Sequence, residues 1–384
     1  VTLEVGHVYE FTNPLTKSKH EVLQMGANSL WDLKGNRLAG VPWPRNPEQF
    51  RHLGLYEEKP SSTLLGWGAR NAVSPMTGSD PEFFLRQGGQ DVAAFFHLPP
   101  KEVRKGGWFW DGFQAETTVP ARHCHQEFAV EFKKQLALLA GQHLEPRAAT
   151  VWEVPQALMD AAGENHVSFG CSPSLNAYGH KGLTAENPRA LLLRFAGGHV
   201  HEGWTNLQRC FPDVEGIVKT MDVFAGVACV ALARNFDNPL RRRYYGLAGE
   251  YRLPSHGLEY RTLSNFWLYH PLSFQLVLGL TRHAFSMGAN GFRKHLIGTD
   301  NEVSTIIDNC DVPAAVDLVH LNEGIYKAWH DCYYGGGFET FLRAVDRGID
   351  KVIPDFGKDI PTAWASVRDA YFQPTWCYFA AQYK

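Results

Sequence analysis

The sequence predicts an α+β protein in which one large antiparallel sheet carries a functional face. Strand-like patterns fill the earlier part of the 384 residues and helical patterns the last third. That order favours segregated strands and helices over alternating βαβ units. Four short stretches also place polar residues at i and i+2: Asp80 and Glu82, Gln114 and Glu116, His199 and His201, Glu259 and Arg261. Side chains alternate along a strand, so each pair shares a face, with Ala115, Val200 or Tyr260 turned the other way. Between Asp80 and Glu82 stands Pro81, which lacks a donor. Neighbouring carboxylates repel unless a cation or proton lies between them, so such a face suits divalent metal and nucleotide phosphates.

The elements follow in chain order. Residues 1–58 form a small β-rich module: Val5 to Phe11 alternates, and Asn13-Pro14 and Lys34-Gly35-Asn36 are turn signals. It is either a docking domain or an extension packed on the main body. Residues 59–71, with Pro, Ser and Gly, read as a linker, and 72–384 as the catalytic domain. The acidic strand around Asp80 comes first, then a strand over Trp108 to Glu116. Gln126 to Ala140 is a helix with Phe128, Phe132, Leu136 and Leu139 on one stripe and Gly141 at its stop. Val151 to Asp160 includes a helix or strand, Gly170 to Tyr178 is a loop, and Ala190 to His201 is a strand. Val214 to Asn235 is helical, Arg241 to Arg252 a basic connection, and Leu258 to Thr262 a strand. Helices then cover Phe274 to Gly288, Val312 to Ala328 and Phe338 to Gly348.

Composition narrows the function classes. The net charge of −3 gives no global signature for nucleic acid or anionic lipid. Seven scattered cysteines without a CxxC argue against a disulfide framework or zinc knuckle and fit a reducing cytoplasm. Apolar runs such as Phe224 to Ala233 fall short of the roughly 20 residues a spanning helix needs, and no signal peptide is visible, so no membrane partner is expected.

Each motif has a plain alternative. Asp80 and Glu82 alone are a solvated strand edge, and Asp111-Gly112 alone marks a hairpin. Gly197-Gly198-His199-Val200-His201 is stronger, because glycines allow close backbone approach to two imidazoles. Acidic surroundings favour magnesium or manganese there over zinc. Arg241-Arg242-Arg243-Tyr244-Tyr245 reads as a phosphate clamp, a solvated basic loop or a nucleic-acid contact. Glu259 and Arg261 are a salt bridge or part of the site. Together the set suits ATP-driven acyl activation, in which metal and guanidinium groups neutralise a transferring phosphoryl group.

The ordered motifs resemble a known superfamily. Gly78-Ser79-Asp80-Pro81-Glu82-Phe83-Phe84 is similar to the acidic strand of glutamine synthetases. Gly-Gly-His199-Val-His201 resembles the His-x-His strand of glutamine synthetases and glutamate–cysteine ligases, and Arg252-Leu253-Pro254 with Leu258-Glu259-Tyr260-Arg261 resembles their Arg-x-Pro and Ile-Glu-x-Arg pair. With Asn176-Ala177-Tyr178 and Tyr245-Gly246, the pattern between about Gly78 and Leu268 looks most like the phage-encoded carboxylate–amine ligases, the amidoligases of type 2.

That resemblance implies a glutamine-synthetase-like curved antiparallel sheet with helices behind it, working in the host cytoplasm. It implies ATP with Mg2+ or Mn2+, and a small-molecule or peptide carboxylate and amine as substrates; a modified nucleobase is also open. Glu82 and Glu116 would hold one metal, and Asp80, His199 and Glu259 the other. His201, Arg243 and Tyr245 would contact the nucleotide, while Arg252 and Arg261 grip the phosphoryl group or the substrate carboxylate. Glu82 and Glu259 would be indispensable to catalysis. Asp80 stands where a longer Glu is usual. Glu250 and Glu202 are candidates for the amine's base. A phosphoryl transferase related to guanidino kinases, and a non-catalytic phage structural or nucleic-acid-binding protein, are the competing readings.

Overall fold

The computed structural model describes residues 7–12, 19–26, 29–32, 50–55, 76–103, 107–122, 125–167, 174–184, 186–203, 211, 213–334, 337–357 and 360–365. The expected linker at 59–71 and the residues 170–173 lie outside them. Within 1–58, four strands pair antiparallel in the order β3-β2-β1-β4: β1 (His7–Thr12), β2 (Lys19–Gly26), β3 (Ser29–Asp32) and β4 (Phe50–Leu55).

The rest is mixed α and β, built on a ten-stranded sheet among the described residues. Its longest strand, β5 (Met76–Gln87), is the hub. Around it pair β6 (Gln90–Val92), β8 (Gln114–Thr117), β9 (Val119–Arg122), β10 (Glu145–Arg147) and β14 (Gly198–Gly203). From β14 the sheet continues through β16 (Gly257–Tyr260), β15 (Glu250–Arg252) and β12 (Leu175–Asn176); on the other side β8 pairs β7 (Trp108–Asp111). A separate two-stranded pair joins β11 (Val151–Glu153) and β13 (Leu193–Phe195). Every one of these pairings is antiparallel.

One face of the sheet is the floor of the main core. Ala115, Val200 and Tyr260 are fully buried there, together with Phe83 and Leu258, against the helices Val214–Met221, Val227–Ala233 and Pro271–Ala289. The run 214–236 has a mean hydropathy of 1.7 over its most apolar window, so it is long and apolar enough to cross a membrane, contrary to the sequence expectation. Its apolar character is used internally: 89% of that window is buried in this core.

Several boundaries differ from expectation. Trp108 to Glu116 is a hairpin, not one strand, because Gly112 takes φ 62° and turns the chain. Arg241 to Arg252 opens with a helix, Pro239–Tyr244, whose first turn is capped by Asn238. Val312 to Ala328 is two helices, Val312–Leu321 and Glu323–Tyr334. Between them Asn322 accepts from the Ile297 N–H and donates to the Ile297 and Leu318 carbonyls.

Candidate active site

Register brings the expected residues onto one face. Glu82 lies opposite Glu116, His199 opposite Asp80, His201 opposite Glu259, and Glu259 opposite Arg252. Directly paired residues share a face. Strands distant in sequence therefore set acidic, imidazole and guanidinium groups side by side.

The first group is acidic. Carboxylate oxygens of Glu82, Asp111 and Glu116 all lie within 4.8 Å of one another. Burial, then the neighbouring Asp111, pushes Glu82 up to about 7 against the pull of Arg261, Tyr245 and the Gly197 N–H. Burial raises Glu116 well above the ordinary range and raises Asp111 as well, with Lys101 opposing both. The Lys101 ammonium stands 3.7 Å from Glu116 and is itself half exposed. Two buried carboxylates and a half-buried one, all with raised proton affinity, and one half-exposed cation beside them fit a hard divalent ion. Asp111 was read only as a turn residue; what placed it here is its pairing with Gln114 across the hairpin.

The second group surrounds Glu259, which is ion-paired to Arg261, lies 3.7 Å from Arg252 and faces His199 Nδ1 at 3.5 Å. Burial and the guanidinium groups of Arg261, Arg241 and Arg252 hold His199 well below the ordinary histidine range, so it is a neutral imidazole able to donate a lone pair. Asp80 is a half-buried neighbour that meets His201 Nε2 at 3.3 Å and is hydrogen-bonded to Thr118, rather than reaching His199 or Glu259. Burial pushes Asp80 up, but His201 and Lys101 outweigh it and hold it low. His201 Nδ1 in turn meets His256 Nε2 at 3.0 Å.

Tyr245 joins the groups. Its hydroxyl donates to Glu82 Oε1 at 2.8 Å and also contacts His199 Nε2. The guanidinium groups of Arg241 and Arg261 both lie over its ring, at 5.0 and 5.2 Å from the centroid. Gly197 completes the contact: its N–H donates to Glu82 Oε2 at 2.7 Å and its carbonyl accepts from the Glu82 N–H.

The expected arginine clamp is redistributed. Arg241 is buried and donates to the carbonyls of Ala196, Thr262 and Leu263. Arg242 is buried against Asp237 and the carbonyls of Gly246 and Thr262. Arg243 points outward, exposed, and among the described contacts none joins it to the site. The helix over 239–244 explains this, because successive residues on a helix face different directions. Gln114 also serves structure, donating to the Phe195 carbonyl. Glu250 stays on the site face, accepting from the Gly246 N–H. Glu202 is on the opposite face, where Thr77 donates to it and Arg282 donates to Thr77, so it is out of reach of an amine over the site.

No curated protein and no solved structure matches the chain. Residues 193–290, which carry His199, His201, Tyr245, Arg252, Glu259 and Arg261, match the family described as phage phiEco32-like COOH.NH2 ligase-type 2, the same carboxylate–amine ligases that the ordered motifs resemble.

Proposed function

We propose that this protein is an ATP-dependent carboxylate–amine ligase that works through an acyl phosphate on a glutamine-synthetase-like sheet. One observation carries the reading: Glu82, Glu116, His199, Glu259 and Arg252 come from five separate strands and meet on one face in continuous register. A carboxylate and an amine do not condense unaided in water. Moving the γ-phosphoryl group of ATP to the carboxylate creates a leaving group; the amine nitrogen then attacks the acyl carbon, phosphate departs, and the amine loses a proton.

The residues divide that work. Glu82, Asp111 and Glu116 would hold one Mg2+ or Mn2+, and His199 with Glu259 a second, Asp80 reaching it through water. Such ions supply charge neutralisation for the phosphate oxygens. Arg252, about a quarter exposed, is better placed to meet a phosphoryl or carboxylate oxygen than Arg261, which is buried and holds Glu259. His201, tied to Asp80 and His256, borders the nucleotide position. Glu250 is the remaining candidate for the amine's base.

The test is a mass-spectrometric screen of acid and amine pairs with ATP and Mg2+ or Mn2+, scored for both ADP and the condensation product. An amide with stoichiometric ADP is expected, and Glu82→Ala or Glu259→Ala should abolish it. A phosphorylated guanidine without amide would assign the site to phosphoryl transfer instead.

A further inference from the structure

The geometry points to Tyr245 as the positioning residue that fixes the tautomer of His199 and so presents Nδ1, beside Glu259, to a divalent ion. The inference rests on the metal sites of the proposed ligase. A phenol has one proton to donate. Its hydroxyl sits 2.8 Å from Glu82 Oε1 and in contact with His199 Nε2. The phenol proton is directed at Glu82 Oε1, which accepts it. The phenol oxygen can then only accept from His199, so the imidazole hydrogen is on Nε2. Nδ1 is left as a bare lone pair facing the Glu259 carboxylate at 3.5 Å. Arg261 and Arg252 already attend that Glu259 oxygen, but neither reaches the Nδ1 lone pair, which a divalent ion held beside Glu259 would engage.

The hydroxyl is held for this task. Two guanidinium groups pack on the Tyr245 ring. Opposite it is Gly197, where a Cβ would stand 2.8 Å from His199 Nε2 and 3.0 Å from the Tyr245 ring. One phenol thus links Glu82 of the acidic group to His199 of the second.

The test uses the full chain and Mn2+ alone, with Mn2+ binding followed by electron paramagnetic resonance and the imidazole tautomers by 15N nuclear magnetic resonance. His199→Gln assigns the His199 signals. Tyr245→Phe keeps the ring and removes the hydroxyl. It should weaken Mn2+ binding by about tenfold or more and convert His199 from the Nε2–H form to a mixture. Unchanged affinity together with an unchanged tautomer overturns the role of Tyr245. Wild-type Mn2+ binding that survives both Glu82→Gln and Glu259→Gln would instead remove the metal sites themselves, and the inference with them. Thermal melts check that each variant is folded.

Discussion

Where Gly197 would carry a Cβ, three groups already stand: His199 Nε2 at 2.8 Å, the Tyr245 ring at 3.0 Å and the Arg241 guanidinium at 3.1 Å. All three are side chains, so Gly197→Ala should leave the fold intact and displace the site. Turnover is expected to fall about a hundredfold, since small misplacements are costly in catalysis, while the circular dichroism spectrum is unchanged. The two outer arginines make a sharper contrast. Arg252→Ala should lower ADP release at least a hundredfold, and Arg243→Ala should leave it within about twofold; equal effects would restore the basic clamp that the sequence suggested. At this scale the i, i+2 pairs were legible because strand alternation is local. Asp111 was not, because a turn residue and a metal-facing carboxylate look alike until the hairpin is paired. Nor was the burial of Arg241 and Arg242, whose partners are mostly backbone carbonyls, with Asp237 beside Arg242, and carbonyls leave no trace in composition.

Elements were easier to place than to bound. The helix over Val214–Met221 continues to Ala233 through a π turn, Asp222–Gly226, which sets the buried Asp222 carboxyl under the Tyr260 hydroxyl of β16. Burial pushes Asp222 up to about 7, with the Tyr260 hydrogen bond pulling back. A carboxyl raised on folding stabilises most at low pH, and that contribution is lost as pH climbs from its unfolded value to its folded one. Urea denaturation should therefore show wild type losing ground to Asp222→Asn, which keeps the acceptor for Tyr260, between about pH 4 and pH 7. The gap should widen by roughly 4 kcal/mol and then level off. A constant gap across that range would mean the carboxyl is ionised in the fold throughout. The break at Asn322 was illegible for a different reason: its partner, Ile297, is 25 residues away. Asn322→Ala should cost about 2 kcal/mol by leaving those backbone groups unpaired, read from the same denaturation curves.

For the whole molecule, strands first and helices last gave the α+β class, and the sheet is indeed large, antiparallel and backed by helices. Its path could not be read, because nothing local says that β14 lies between β5 and β16. The same sheet crowds the carboxylates of Glu82, Asp111 and Glu116, and like charges at that range work against the fold in chelator. Glu116→Gln should raise the thermal midpoint in chelator by a few degrees and abolish the upward shift that Mn2+ gives wild type. A midpoint unmoved by Mn2+ in wild type would show that the acidic group does not take up the ion.

Glu82 and Gly197 grip each other twice, through the Glu82 main-chain N–H and through its carboxylate, while Asn265 donates to the Glu82 carbonyl. The seam between those two strands is sewn shut at the place where parting it would open a door. In a deuterium-exchange experiment the amides of Glu82 and Gly197 should therefore be among the last to trade their hydrogens.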